Sequence, residues 1–109
     1  MLSPNLPEPE LLKTILQPLL EDFQYWFERS RHLLETEDIP FLSHKQQIDL
    51  LERVKQAQKE VATAKALFQA TNSQVGVEMT VLMPWHQLLT ECWQISTRFR
   101  LEQSKGVEN

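Results

Sequence analysis

Glycine is scarce in this chain and cysteine occurs once. Two glycines in 109 residues leave no Gly-rich loop that could cradle a phosphate. A single Cys92 excludes an internal disulfide framework and any Cys-x-x-Cys pair. No apolar run is long enough to span a bilayer. The first residues are polar and proline-rich, without the basic start and apolar block of a secretory signal. These absences point to the cytoplasm. Basic residues are also outnumbered: the net charge is −4. That argues against nucleic acid as the main partner, because phosphate binding needs a basic surface.

What remains is rich in Leu, Glu, Gln, Ala and Lys, which favours helices over sheets. The length implies one domain with a real but thin core, so a partner surface can contribute to its stability. The charge is unevenly placed. Residues 10–38 carry seven acids against three bases, and residues 44–71 carry five bases against three acids. As neighbouring helices the two segments attract each other, which favours their pairing.

Residues 1–8 read as an extended or disordered proline-rich tail, since prolines at this density cannot sit in a helix interior. A first helix is expected over roughly 9–37. Leu12, Ile15, Leu16, Leu19, Phe23, Trp26, Phe27, Leu33 and Leu34 recur there at three- and four-residue steps. Ile39-Pro40 closes it. Ser43 and Gln46 fit a capping box that opens a second helix. Leu50, Val54, Ala57, Val61, Ala64 and Phe68 then form a coiled-coil-like seam. Asn72 suits a left-handed helix end and Ser73 can cap a third helix over roughly 74–102. Its seam is Trp85, Leu88, Cys92, Ile95 and Phe99. Residues 9–103 are then the single helical domain, and 104–109 a frayed tail.

One pattern occurs twice. Thr14-Ile15-Leu16-Gln17-Pro18 and Thr80-Val81-Leu82-Met83-Pro84 share the form T-[IV]-L-x-P, each followed twelve residues later by a serine, Ser30 or Ser96. Each proline deprives the carbonyl four residues earlier, on Thr14 or Thr80, of its helical donor. A threonine hydroxyl can ease or promote the bend. A fresh helix start at Pro84 would leave Met83 as N-cap with no oxygen to offer, so a continuous bent helix is expected. Both bends should lie at one level, opposite the small residues Val61-Ala62-Thr63-Ala64. Ser30 and Ser96 face the core and can bond back to a carbonyl one turn earlier. The fold class is all-α: an up-down-up bundle of three long helices, the first and third bent at prolines.

Chemistry-bearing constellations are few. His32 shares a helix face with Glu28 and Glu35, a set more consistent with surface salt bridges than with a metal. No paired Glu-x-x-His motifs occur. Cys92 reads as a buried small hydrophobe. Six positions away, His86 lies on a different helix face, so the two do not form a nucleophile–base pair. No catalytic, metal or cofactor residues emerge, and an enzyme is the least supported class. The stronger hint is the breadth of the apolar arc on helix three. Leu82, Met83, Leu89 and Trp93, flanked by His86 and Arg100, exceed what a three-helix core needs. Met79 projects further round the same helix. These four are expected to contact a protein partner or a second copy, with the acidic flank of helix one contributing. A rival reading makes the chain a carrier of an apolar or pigment-like ligand near the proline bends.

Several runs carry a family likeness together: Leu19-Leu20-Glu21-Asp22-Phe23-Gln24-Tyr25-Trp26-Phe27, Gln74-Val75-Gly76-Val77-Glu78-Met79, Pro84-Trp85-His86-Gln87-Leu88, Glu91-Cys92-Trp93 and Arg98-Phe99-Arg100. The chain resembles a family of small uncharacterised cyanobacterial proteins, a domain of unknown function, from about residue 3 to residue 100. The resemblance implies a cyanobacterial source and points toward the photosynthetic machinery or its regulation. It implies no activity, cofactor or catalytic residue.

Overall fold

Three long helices form in chain order: α1 (Glu8–Thr36), α2 (His44–Ala70) and α3 (Met79–Glu108). The computed structural model describes residues 8–71 and 79–108, and side chains from 14 to 71 and from 80 to 105. No strand occurs among the described residues. Residues 1–7 of the expected tail, the Asn72 helix end, the Ser73 cap and the first turn assigned to helix three lie outside them, while Glu8, read as the end of the tail, is the first residue of α1. The C-terminal end differs from expectation. α3 continues as helix through Glu108 rather than stopping near 103, and Lys105 in its last turn complements the helix dipole.

α2 starts where the local signal places it. Ser43 accepts from the Gln46 amide at 3.0 Å, and the Gln46 side chain accepts from the Ser43 amide at 2.8 Å. This closed capping box is worth about 1 kcal/mol. The α1–α2 connection depends on the next residue. Gln47 Nε2 donates to the Leu34 and Glu37 carbonyls at 2.9 and 2.7 Å, and its Oε1 accepts from the Ile39 amide at 3.1 Å. One side chain thus satisfies the exposed end of α1 and pins the turn while Ile39 sinks into the core.

Both seams are core. Leu50, Val54, Ala57, Val61 and Phe68 are buried on α2, as are Trp85, Leu88, Cys92 and Phe99 on α3, while Ala64 and Ile95 pack half-buried against them. α1 contributes Leu16, Leu20, Phe23, Phe27 and Leu34. Ile15 and Trp26, read as part of that stripe, are exposed instead. They sit at its margin, where a third helix on one side leaves the other side open.

Cross-helix polar pairs report the antiparallel arrangement. Glu21 pairs with Lys65, Glu28 with Gln58 and Glu35 with Lys55, so partners descend α2 as they ascend α1. The acids of α1 do meet the bases of α2. Arg53 of α2 forms a two-bond pair with Glu91 of α3, at 2.9 and 3.2 Å. Arg98 places its guanidinium 4.0 Å from the Phe41 ring centre, tying α3 to the α1–α2 turn.

α1 and α3 run through Pro18 and Pro84 without interruption. Thr14 and Thr80 are both exposed, and neither is without an interaction partner. The two prolines are not level. Phe23 meets Trp85 edge-on at 5.6 Å, and the Ser30 hydroxyl lies beside the Cys92 thiol. Both pairs are 62 positions apart, whereas Pro18 and Pro84 are 66 apart. Pro84 therefore sits about one turn, ~6 Å, beyond Pro18 along the bundle. The packing of the large Trp85 ring against Phe23 sets this register, not the distance of each proline from its helix start. The small residues Thr63 and Ala64 of α2 do lie beside Pro84.

Candidate functional site

The helical repeat leaves one side of α1 and one side of α3 facing each other across an open groove of about 590 Å³. On α3 the wall steps through His86, Leu89, Thr90, Trp93, Ser96 and Arg100, at the three- and four-residue spacing of one helix face. On α1 it consists of Trp26, Arg29, Ser30 and Leu33. The floor is set by small side chains. Ser30 Oγ donates back to the Trp26 carbonyl at 2.9 Å, and Ser96 Oγ to the Trp93 carbonyl at 3.1 Å. Each hydroxyl is satisfied within its own helix, which removes the cost of placing it between two helices.

The rims are aromatic. Trp93 is 61 % exposed and Trp26 46 % exposed. Trp26 is held in place: Tyr25 stands edge-on to it at 4.9 Å, and the Arg29 guanidinium lies 5.7 Å from the Tyr25 ring centre and 5.9 Å from that of Trp26. Arg29 also donates to the Tyr25 hydroxyl at 3.4 Å. A rigid amphipathic ring on a groove edge is the side-chain type that binding surfaces favour.

The lining has a definite sign. It includes Arg29 and Arg100 and no acidic side chain. The chain has five arginines. Arg31, Arg53 and Arg98 each pair with a glutamate. Arg29 and Arg100, the two in the groove, make no ion pair among the described residues. An acidic protein thus keeps a cationic, aromatic trough.

The four residues singled out on helix three separate. Leu89 and Trp93 line the groove. Leu82 is half-buried against the core, and Met83 is 45 % exposed one turn before the groove begins. None of the four is fully buried. The Met79 side chain lies outside the described residues. The α1 side of the groove is aromatic, apolar and basic, and the acidic flank of that helix does not line it. Trp26 and Arg29 were not singled out. Their signal was present as Tyr25, Trp26 and Arg29, which neighbour one another on one helical turn.

The remaining chemical groups are accounted for locally. Glu28 engages Arg31 and Gln58, and Glu35 engages Arg31 and Lys55. No group of three or more His, Cys, Asp or Glu side chains could hold a metal among the described residues. Cys92 is buried, and burial pushes its thiol up from the ordinary 9.0 to about 11, against the opposing pull of the neighbouring Ser30 hydroxyl. A thiol this reluctant to ionise is a poor nucleophile. His86 is exposed on the groove wall, while Cys92 is buried in the core. No helix among the described residues is long and apolar enough to cross a membrane.

The chain belongs to the family described as protein of unknown function (DUF2605), whose model matches residues 6–101. No curated protein and no solved structure matches it.

Proposed function

We propose that this protein is a non-catalytic interaction module that docks a segment of another protein in the groove between α1 and α3. The observation that carries the reading is the pair of exposed tryptophans, Trp26 and Trp93, set on opposite rims of one concave surface. Water contact with two such rings is unfavourable, and burying them against a partner recovers that free energy. The groove spans the helix pair as a trough, not a closed cavity. That supports a polypeptide occupant over a small carried ligand, which is buried over most of its surface when bound. The resemblance to cyanobacterial proteins supports assembly or regulation of a cyanobacterial complex, with the photosynthetic apparatus as the proposed setting and the cytoplasm as the compartment.

The test is affinity capture with the parent and with Trp93→Ala, each checked for helix content by circular dichroism. The reading expects a discrete protein retained by the parent, with affinity weakened by about 2 kcal/mol or more in the variant, as at an interface hot spot. A partner bound equally by both forms overturns the groove as the docking site.

A further inference from the structure

The groove's length and charge define what fits it. From His86 to Arg100 the α3 wall rises by fourteen residue steps, or ~21 Å at 1.5 Å per step, close to four helical turns. Its two walls are parallel helices, and an apolar trough between two helices is the usual seat of a third. With α2 already behind them, the occupant would be the fourth helix of a bundle.

We propose that the groove seats an acidic amphipathic helix of a second protein, completing a four-helix bundle. The proposal rests on the docking reading above and names its partner's chemistry. Every arginine outside the groove is matched to a glutamate of this chain, and neither arginine inside it meets a carboxylate among the described residues. Unmatched guanidiniums beside aromatic rings favour an acidic partner strongly, since Arg can pair a carboxylate through two bonds. The two lie apart along the axis. By the 62-position register that Phe23–Trp85 and Ser30–Cys92 establish, Arg100 is level with position 38, two residues past the end of α1 at Thr36. That places it nine residues beyond Arg29, or ~13 Å and two and a half turns. The partner helix therefore carries acids two to three turns apart, with apolar residues between them facing Leu33, Leu89 and Trp93.

A second copy of this chain fits poorly. A two-fold contact joining groove to groove would oppose arginines with arginines. Nucleic acid is disfavoured by the chain's net charge of −4.

The test is a display selection of random 20-residue peptides on a helix-forming background, against the purified full chain. The expected binders are acidic, carry an apolar stripe at helical spacing and weaken as salt rises. Their affinity falls at least tenfold on Arg29→Ala/Arg100→Ala, recovers partly with Arg29→Lys/Arg100→Lys, and falls similarly with Trp93→Ala. Circular dichroism of each variant should match the parent. Neutral or basic binders, or binders indifferent to both arginines, overturn the acidic-helix proposal. If those binders still require Trp93, the docking reading stands without it. If they ignore Trp93 as well, both fall. An empty selection, or a parent that sediments as a dimer separated by Trp93→Ala, also overturns the proposal, the dimer in favour of a second copy.

Discussion

The indole Nε1 of Trp85 donates to Glu60 Oε1 at 2.9 Å, joining α3 to α2 across the edge of the core. Trp85 is 3 % exposed, so little of the ring can reach bulk water and the carboxylate is its N–H partner. Glu60→Leu leaves the donor unpaired and should lower the unfolding free energy by about 1–3 kcal/mol. Glu60→Gln keeps an acceptor oxygen and should cost under about 1 kcal/mol. Urea unfolding measures both, with an unchanged slope showing that the effect is on stability alone. Equal losses for the two substitutions would deny the hydrogen bond its role.

Gln46 and Gln47 are adjacent and do different work. Gln46 closes a local capping box, whereas Gln47 makes three bonds to the end of α1 and the turn. Gln46→Ala should cost about 1 kcal/mol, since the Ser43 side of the box survives. Gln47→Ala leaves the Ile39 amide and two carbonyls without this partner and should cost about 2–3 kcal/mol. Thermal unfolding of the pair gives the order directly. A larger loss at Gln46 would show that the cap, not the Gln47 clasp, holds the turn.

Cys92 makes stability depend on alkaline pH. Burial holds its thiol neutral to about 11, against an ordinary value of 9.0. The unfolded chain therefore releases this proton first as pH rises. The stability linked to the neutral thiol is complete below pH 9 and is lost between pH 9 and about 11. At ~1.4 kcal/mol per pH unit the loss is about 2–3 kcal/mol in all. Other groups titrate in the same range, so the quantity to measure is the difference between parent and Cys92→Ala. The slope should be shallower in the variant. Alkylation of the native thiol at pH 8 should also be slow until the protein is denatured.

How much of this was legible depended on how far each interaction reaches. The Ser43–Gln46 box spans four residues and was readable as a motif. The α2 and α3 seams were readable because burial on one face imposes a period. Continuity through Pro84 followed from Met83, which cannot cap a new helix, and the repeated pattern extended it to Pro18. The helix register was not readable: spacing aligned Pro18 with Pro84, and only the packing of Trp85 on Phe23 reveals the one-turn offset. Gln47 looked like any polar helix residue, because its partners lie 8, 10 and 13 positions away. Half of the groove was legible. Leu89 and Trp93 stood out as surplus apolar surface, whereas Trp26 fitted the periodicity of a core residue. Its place on the rim follows from where α3 docks, which no single helix encodes.

Trp85 and Trp93 lie on one helix, two turns apart, and their substitutions should have opposite consequences. Trp85→Ala empties a site enclosed by Phe23, Glu60 and the α2 seam and should destabilise the fold by about 3–5 kcal/mol. Trp93 is 61 % exposed, so removing it should change stability by less than about 0.5 kcal/mol. Fluorescence separates them before any partner is known. Trp93→Ala deletes a solvated emitter, so the remaining emission should shift to the blue and be quenched less by acrylamide. Trp85→Ala deletes the shielded emitter and should shift it to the red. Denaturation of the same samples supplies the stability difference, and partner binding should follow Trp93 while folding follows Trp85. A Trp93→Ala variant that unfolds as readily as Trp85→Ala would mean the ring supports the bundle itself, and the groove would lose its principal contact.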